Sequence, residues 1–330
     1  MKPNHRLTRN KRHKRSARTI GTKRNEKERN EGKGTRSWRK LNCAPAVHDK
    51  TINSNTCFTP ETLLQIRDAY NKNHSSKEQI LDTTPSKIQR TLLRRLKQCD
   101  TEACWLDEIQ DPSVKYKLRH LLFAPTHPKE WIKYPNAWLS NFDIAAVLHQ
   151  YEISHPHFKL LGPSAIDYNA RPVEYGGQCV WNDLCELSLA ELLSKGKQKL
   201  GISLNLDKHD QGGTHWVSMF VDIPEKTVFY YDSACHPVPI QVVELSNTIK
   251  EQGKQLTPPI DFTYIENKYT HQRTNTECGM YSLFFIITML TNDTEQKRGM
   301  TMDEKIALFT KRRIPDKYVA QYRQIYFNRV

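Results

Sequence analysis

The chain has 330 residues, with Lys+Arg 50 against Asp+Glu 36, a formal net charge of +14 and 37% hydrophobic residues. That length allows one large domain or two smaller ones with a substantial core, and no apolar run approaches the ~20 residues of a membrane-spanning helix. The charge is uneven: residues 1–40 hold 16 Lys/Arg and 3 Glu, a net of +13, which leaves +1 for the remainder and excludes a uniformly basic nucleic-acid-binding fold.

In chain order, residues 1–45 read as a disordered basic tail, because so few aliphatic side chains cannot offset the entropy of ordering. The run KRHKR at 11–15 reads equally as a nuclear-localisation or phosphate-binding segment and as a solvated tail. The tail lacks the apolar segment of a secretory signal, and its glutamates argue against a mitochondrial presequence. Residues 46–125 read as a helical arm. Thr59-Pro60 opens one helix through Leu63, Leu64, Ile66 and Tyr70, and Thr84-Pro85 opens a second through Ile88, Leu92, Leu93 and Leu96. Cys99–Leu106 reads as a linker to a third helix over roughly 112–122.

Residues 126–330 read as a mixed α+β domain. A helix capped by Ser140 or Asn141 runs to Tyr151, and a short strand at Phe158–Leu161 is expected to stop at Gly162-Pro163. Three strand patterns follow at 199–206, 215–222 and 227–232, then an amphipathic helix at 239–255 and a strand at 262–265. The most apolar segment, Cys278 to Leu290, suits a buried helix, and helical stretches through Ile306 and Tyr318–Tyr326 close the chain.

The eight cysteines contain no CxxC pair and are too sparse for a disulfide scaffold. They read as reduced thiols in a cytosolic, nuclear or virus-interior setting. Cys99/Cys104 and Cys179/Cys185 lack the spacing of common zinc sites.

Cys278 stands at the start of the apolar helix, where the positive end of the helix dipole favours a thiolate. His215 and Asp232 occupy comparable ends of a predicted hairpin. If Val217 pairs opposite Asp232, His215 and Asp232 share a face as diagonal neighbours, while a one-residue slip separates them. Gln272 precedes Cys278 by six residues and carries an amide able to donate to an oxyanion. Together the four residues form a Cys–His–Asp acyl-transfer constellation.

The strings GGTHWVSMFVD (212–222), VFYYDS (228–233) and HQRTNTECGMYSLFFI (271–286) resemble the ubiquitin-like-protein-specific cysteine proteases, clan mates of the adenovirus protease. The likeness is closer to the polyprotein-processing proteases of nucleocytoplasmic large DNA viruses. It extends to WLSNFDI (138–144) and CDTEACWL (99–106), covers roughly 57–330 and leaves out the tail. The resemblance implies a papain-like, adenain-type α+β core: a central mixed sheet packed by helices, with the nucleophile at a helix N-terminus. It places the general base on His215, its orienting residue on Asp232, the oxyanion donor on Gln272 and the nucleophile on Cys278. Trp138 and Trp216 are expected to line a narrow substrate channel, core packing being the alternative for both.

The resemblance also implies cleavage after Gly-Gly without metal or cofactor, on structural polyproteins during virion maturation or on ubiquitin-like precursors. The expected setting is the virion and cytoplasmic assembly sites, with nuclear entry open to the basic tail. Two alternatives stay open: a deubiquitinase- or deSUMOylase-like isopeptidase, and an inactive protease-like scaffold that binds nucleic acid through residues 1–40.

Overall fold

The computed structural model describes residues 38–329. The expectations placed on residues 1–37 lie outside them. Residues from Trp38 onward form one compact unit, which includes residues 38–45 that the sequence reading put in the tail. Leu41 and Ala44 are buried, and Trp38 packs against Trp105 with ring centroids 5.5 Å apart. Residues 38–45 therefore belong to the arm, because their few apolar side chains find a partner that local composition does not reveal.

The arm consists of α1 (Pro60–Asn73), α2 (Pro85–Arg95) and α3 (Pro112–Leu122). Each starts at a proline, whose missing N–H is harmless in a first turn. Thr59 accepts from Thr62 N, and Asp111 from Ser113 N and Val114 N, satisfying otherwise unpaired donors. The segment read as a linker coils into a 3-10 helix, Glu102–Glu108. The arm has its own apolar cluster around Phe58, Leu63, Ile66, Trp105 and Leu106. Buried Glu102 accepts from Cys57 N and Thr56 Oγ1 and ties this helix to the start of α1.

The reading of eight reduced cysteines is corrected. Cys43–Cys57, Cys99–Cys104 and Cys179–Cys185 are disulfides, and among the described residues Cys235 and Cys278 are free thiols. Their Cα–Cα distances of 5.1, 5.6 and 6.3 Å lie within bridging range. The pairs close loops of only 14, 5 and 6 residues, and cysteine density over the whole chain says nothing about such local closures.

After α4 (Asn141–Ser154) come β1 (Phe158–Ala165), the short helices α5 (Asn182–Cys185) and α6 (Leu189–Ser194), β2 (Lys199–Asn205), β3 (Trp216–Asp222) and β4 (Thr227–Tyr231). Then follow α7 (Ile240–Lys254), β5 (Thr263–Glu266), α8 (Cys278–Thr291), α9 (Met302–Thr310), α10 (Asp316–Ala320) and α11 (Arg323–Tyr326). The sheet order is β1-β2-β3-β4-β5. Its outer pairs are parallel and its two inner pairs antiparallel, so it is mixed.

Contrary to the sequence reading, β1 runs through Gly162-Pro163. It pairs only with β2, and an edge strand tolerates a residue without an N–H; the register shifts between Leu161 and Ser164. Gly162 adopts a φ of +100°, and a Cβ there would meet Ser203 O at 2.6 Å.

Side chains alternate across β3. Val217, Met219 and Val221 join α7 in one apolar layer, while Trp216 and Phe220 join α4 and α8 in the other. Helix α8 is buried from Cys278 to Leu290. It lies close on the sheet because Gly201 has no side chain: a Cβ there would meet Ile286 and Phe158 at 2.8 Å. Ser282 reaches across to Ser203 and Ser218 through their hydroxyls. Among the described residues, no helix is long and apolar enough to cross a membrane.

Candidate active site

His215 immediately precedes β3, and Asp232 immediately follows β4. The strand register pairs Ser218 with Tyr231 through Asp222 with Thr227. Continued by one step, it sets Val217 opposite Asp232, the register that brings the two side chains together. His215 Nε2 donates to Asp232 Oδ1 at 2.6 Å. Asp232 is 1% exposed and also accepts from Ala234 N at 2.9 Å and His236 N at 2.8 Å. Asn267 clamps its backbone: Asn267 Oδ1 accepts from Asp232 N, and Asn267 Nδ2 donates to Asp232 O.

Cys278 is the first residue of α8 and lies within hydrogen-bonding reach of His215. Burial pulls the His215 pKa down. Hydrogen bonds to Asp232 and Cys278 and their negative charges outweigh it, and the imidazole is pushed up to about 9. Burial raises the Asp232 carboxyl, but the hydrogen bond and charge of His215 and two backbone N–H groups bring it below its ordinary range. The histidine is thus held as a cation between two groups that can carry negative charge.

A cleft of about 500 Å³ opens over Cys278 and is lined by Trp138, Ser140, Asn141, Trp181, Gly213 and Trp216. Trp138 is 47% exposed and Trp216 only 9%, so the second serves core and cleft together. Trp216 Nε1 donates to Leu139 O, and Trp138 Nε1 donates to Asn275 O in the loop before Cys278. Asp207 also lines the cleft and shapes the segment leading to His215 by accepting from Gly213 N and Thr214 Oγ1. Gly213 takes a φ of +81° there, which glycine adopts without strain. Gln272 is nearly buried, and its Nε2 donates to Thr274 O.

One element of the site was not visible in the sequence. Glu277, beside Cys278, forms a buried ion pair with Arg323 of α11, whose Nε and Nη2 both donate to Glu277 Oε2, at 3.1 and 2.9 Å. Arg323 also donates to Thr276 O and Ala137 O and lies over the Trp131 ring. Chain separation hides this clamp. Arg323→Met leaves Glu277 buried and unpaired, so the unfolding free energy should fall by about 3–5 kcal/mol, read as a lower urea midpoint. Adding Glu277→Gln should recover part of the loss.

Among the described residues, one group of potential metal ligands, His215, Asp232 and His236, brings its ligand atoms within 4.8 Å of one another. Asp232 Oδ1 already accepts from His215 Nε2 and Ala234 N, and Oδ2 from His236 N, so a cation there must displace them.

A family model for the Ulp1 protease family, C-terminal catalytic domain, matches residues 198–322. Over 268 residues the chain is 30% identical to a protein of Acanthamoeba polyphaga mimivirus named as a thiol protease, covering 76% of this chain and 85% of the relative. The chain belongs to the Ulp1 protease family. A cysteine protease of African swine fever virus is 29% identical over 227 residues, covering 62% of this chain and 80% of that one. The crystal structure of an African swine fever virus protease superposes with a TM-score of 0.57 at 19% identity, covering 88% of this chain and 96% of that chain. The Ulp1-family chain is thus a cysteine protease of α+β fold, similar to viral proteins.

Proposed function

We propose that this protease is an endopeptidase that cuts protein chains after Gly-Gly, on structural polyproteins during virion maturation, with Cys278 as nucleophile, His215 as base and acid, Asp232 as orienting residue and Gln272 as oxyanion donor. The observation that carries this reading is the His215–Asp232 bond set against Cys278, which lines a cleft together with Trp138 and Trp216. Because His215 Nε2–H is committed to Asp232, the proton that leaves the thiol sits on Nδ1, and the resting pair is thiolate and imidazolium. The thiolate attacks the scissile carbonyl, a C–S bond forms and the carbonyl π electrons move to oxygen. The Gln272 amide and the backbone N–H of Cys278 receive that oxyanion. Collapse breaks the C–N bond, and His215 gives its proton to the leaving amine. Water then attacks the thioester, with His215 taking its proton, and the acid product departs as the thiol is restored.

Trp138 and Trp216 both line the cleft over Cys278, which supports Gly-Gly specificity, since glycine alone lets a chain approach bulky walls closely. Gly→Ala at either position of a Gly-Gly-Xaa peptide should lower kcat/KM by about 10- to 200-fold, measured with fluorogenic peptides. Equal turnover of Ala-containing peptides overturns the specificity.

The isopeptidase reading has its own support: African swine fever virus relatives at the same 29% identity are named SUMO-1 cysteine protease. Comparing a folded ubiquitin-like protein ending in Gly-Gly-Xaa with the free peptide separates the two. Preference for the folded protein favours the isopeptidase.

The proposal includes a tether. Residues 1–40, with net charge +13, bind DNA through phosphate contacts and hold the enzyme near its substrates at virus assembly sites. Deleting residues 1–37 should abolish salt-sensitive DNA binding in a mobility-shift assay and leave peptide cleavage within about 2-fold. Loss of cleavage with the tail counts against a separate tether.

A further inference from the structure

We propose that Ser233 is a positioning residue for oxyanion stabilisation, fixing which end of the Gln272 amide faces the reacting carbonyl; this rests on the assignment of Gln272 made above. The two ends of a side-chain amide have nearly the same shape and differ only in donating or accepting. The chain settles this ambiguity twice. Gln272 Nε2 meets the carbonyl of Thr274 at 2.6 Å, and a carbonyl can only accept, so nitrogen must lie at that end. The other end, Oε1, meets Ser233 Oγ at 2.8 Å, and there the hydroxyl donates.

Ser233 is 1% exposed, so water offers its hydroxyl little competition. Its carbonyl also accepts from Gln272 N and His271 N, each at 2.8 Å, fixing the backbone from which the amide projects. With Oε1 held by Ser233 and one N–H held by Thr274, the second N–H of Gln272 has no acceptor among the described residues and remains for the substrate oxygen.

Ser233 directly follows Asp232, so two consecutive residues serve opposite ends of the reaction. The Asp232 carboxylate holds the base, and the Ser233 hydroxyl holds the oxyanion donor. The hairpin that aligns the histidine therefore also aligns the amide.

The test is a double-mutant cycle of Ser233→Ala and Gln272→Ala in the full-length enzyme, reading kcat and KM for a Gly-Gly-Xaa peptide. Gln272→Ala alone should lower kcat by about 100-fold or more. Ser233→Ala alone should lower kcat by about 5- to 20-fold with KM within about 2-fold, and should add less than about 2-fold once Gln272 is Ala. Equal losses in both backgrounds overturn the inference, because Ser233 then acts through something other than the amide; no loss in either background also overturns it. If Ser233→Ala does not fold, Ser233→Cys, with a weaker donor of similar shape, is placed in the same cycle and judged by the same two patterns. An unchanged kcat in Gln272→Ala alone removes the oxyanion assignment itself, a result distinct from failure of the coupling.

Discussion

Replacing Cys278 by Ala should lower cleavage of a Gly-Gly-Xaa peptide by roughly 10⁴- to 10⁶-fold, the scale seen when a covalent nucleophile is removed. The protein should stay folded. Cys278 is nearly buried at the head of α8, and the change deletes one sulfur without opening a polar vacancy. The check is steady-state kinetics beside a urea denaturation curve. Cys235, the other free thiol among the described residues, is the control: Cys235→Ala should retain full activity. Cleavage surviving in Cys278→Ala, or lost in Cys235→Ala, would move the nucleophile elsewhere.

Asp232→Asn should lower kcat by about 10³- to 10⁴-fold, because an amide in place of the carboxylate no longer holds the histidine in the working tautomer or balances its charge. It should also change the pH profile. In the wild type the imidazole keeps its proton until pH rises through about 9, so the alkaline limb of kcat/KM should lie near that value. Without the Asp232 hydrogen bond and charge, burial acts with less opposition, and the limb should move to lower pH. Stability should follow the same sign. A folded pKa raised above the ordinary 6.5 stabilises fully below that value and is lost as pH climbs toward about 9. The lowered Asp232 pKa contributes above its ordinary 3.8 and is lost as pH falls through the folded value. Asp232→Asn should therefore flatten the dependence of the unfolding midpoint on pH at both ends, and an unchanged profile would remove Asp232 from the charge array.

The parts of this site legible in the sequence are those set by short-range geometry. Strand periodicity and a short turn fix the hairpin register, so the meeting of His215 with Asp232 follows from one assumption about Val217. The start of an apolar helix marks Cys278, and the spacing of Gln272 follows from the same stretch. Pairs joined only by the finished fold were not legible. Arg323 finds Glu277 across 46 residues, and Ser233 finds Gln272 across 39. No local pattern marks either member, since an exposed surface ion pair and a loop serine read the same way. The passage of β1 through Gly162-Pro163 was misread for a similar reason. A proline ends a central strand but not an edge one, and edge position is a property of the sheet. The disulfides were missed because composition over 330 residues averages away loops only a few residues long.

The Arg323 clamp also sets an order of events. During synthesis, Cys278, His215 and Asp232 leave the ribosome before Arg323 does. Until α11 emerges, Glu277 and the Thr276 carbonyl lack the guanidinium that secures the turn into α8. On the proposed assignment, the reacting groups are thus all present before the turn into α8 is anchored. A nascent chain halted before residue 323 should carry the proposed reactive groups beside an unbraced turn into α8.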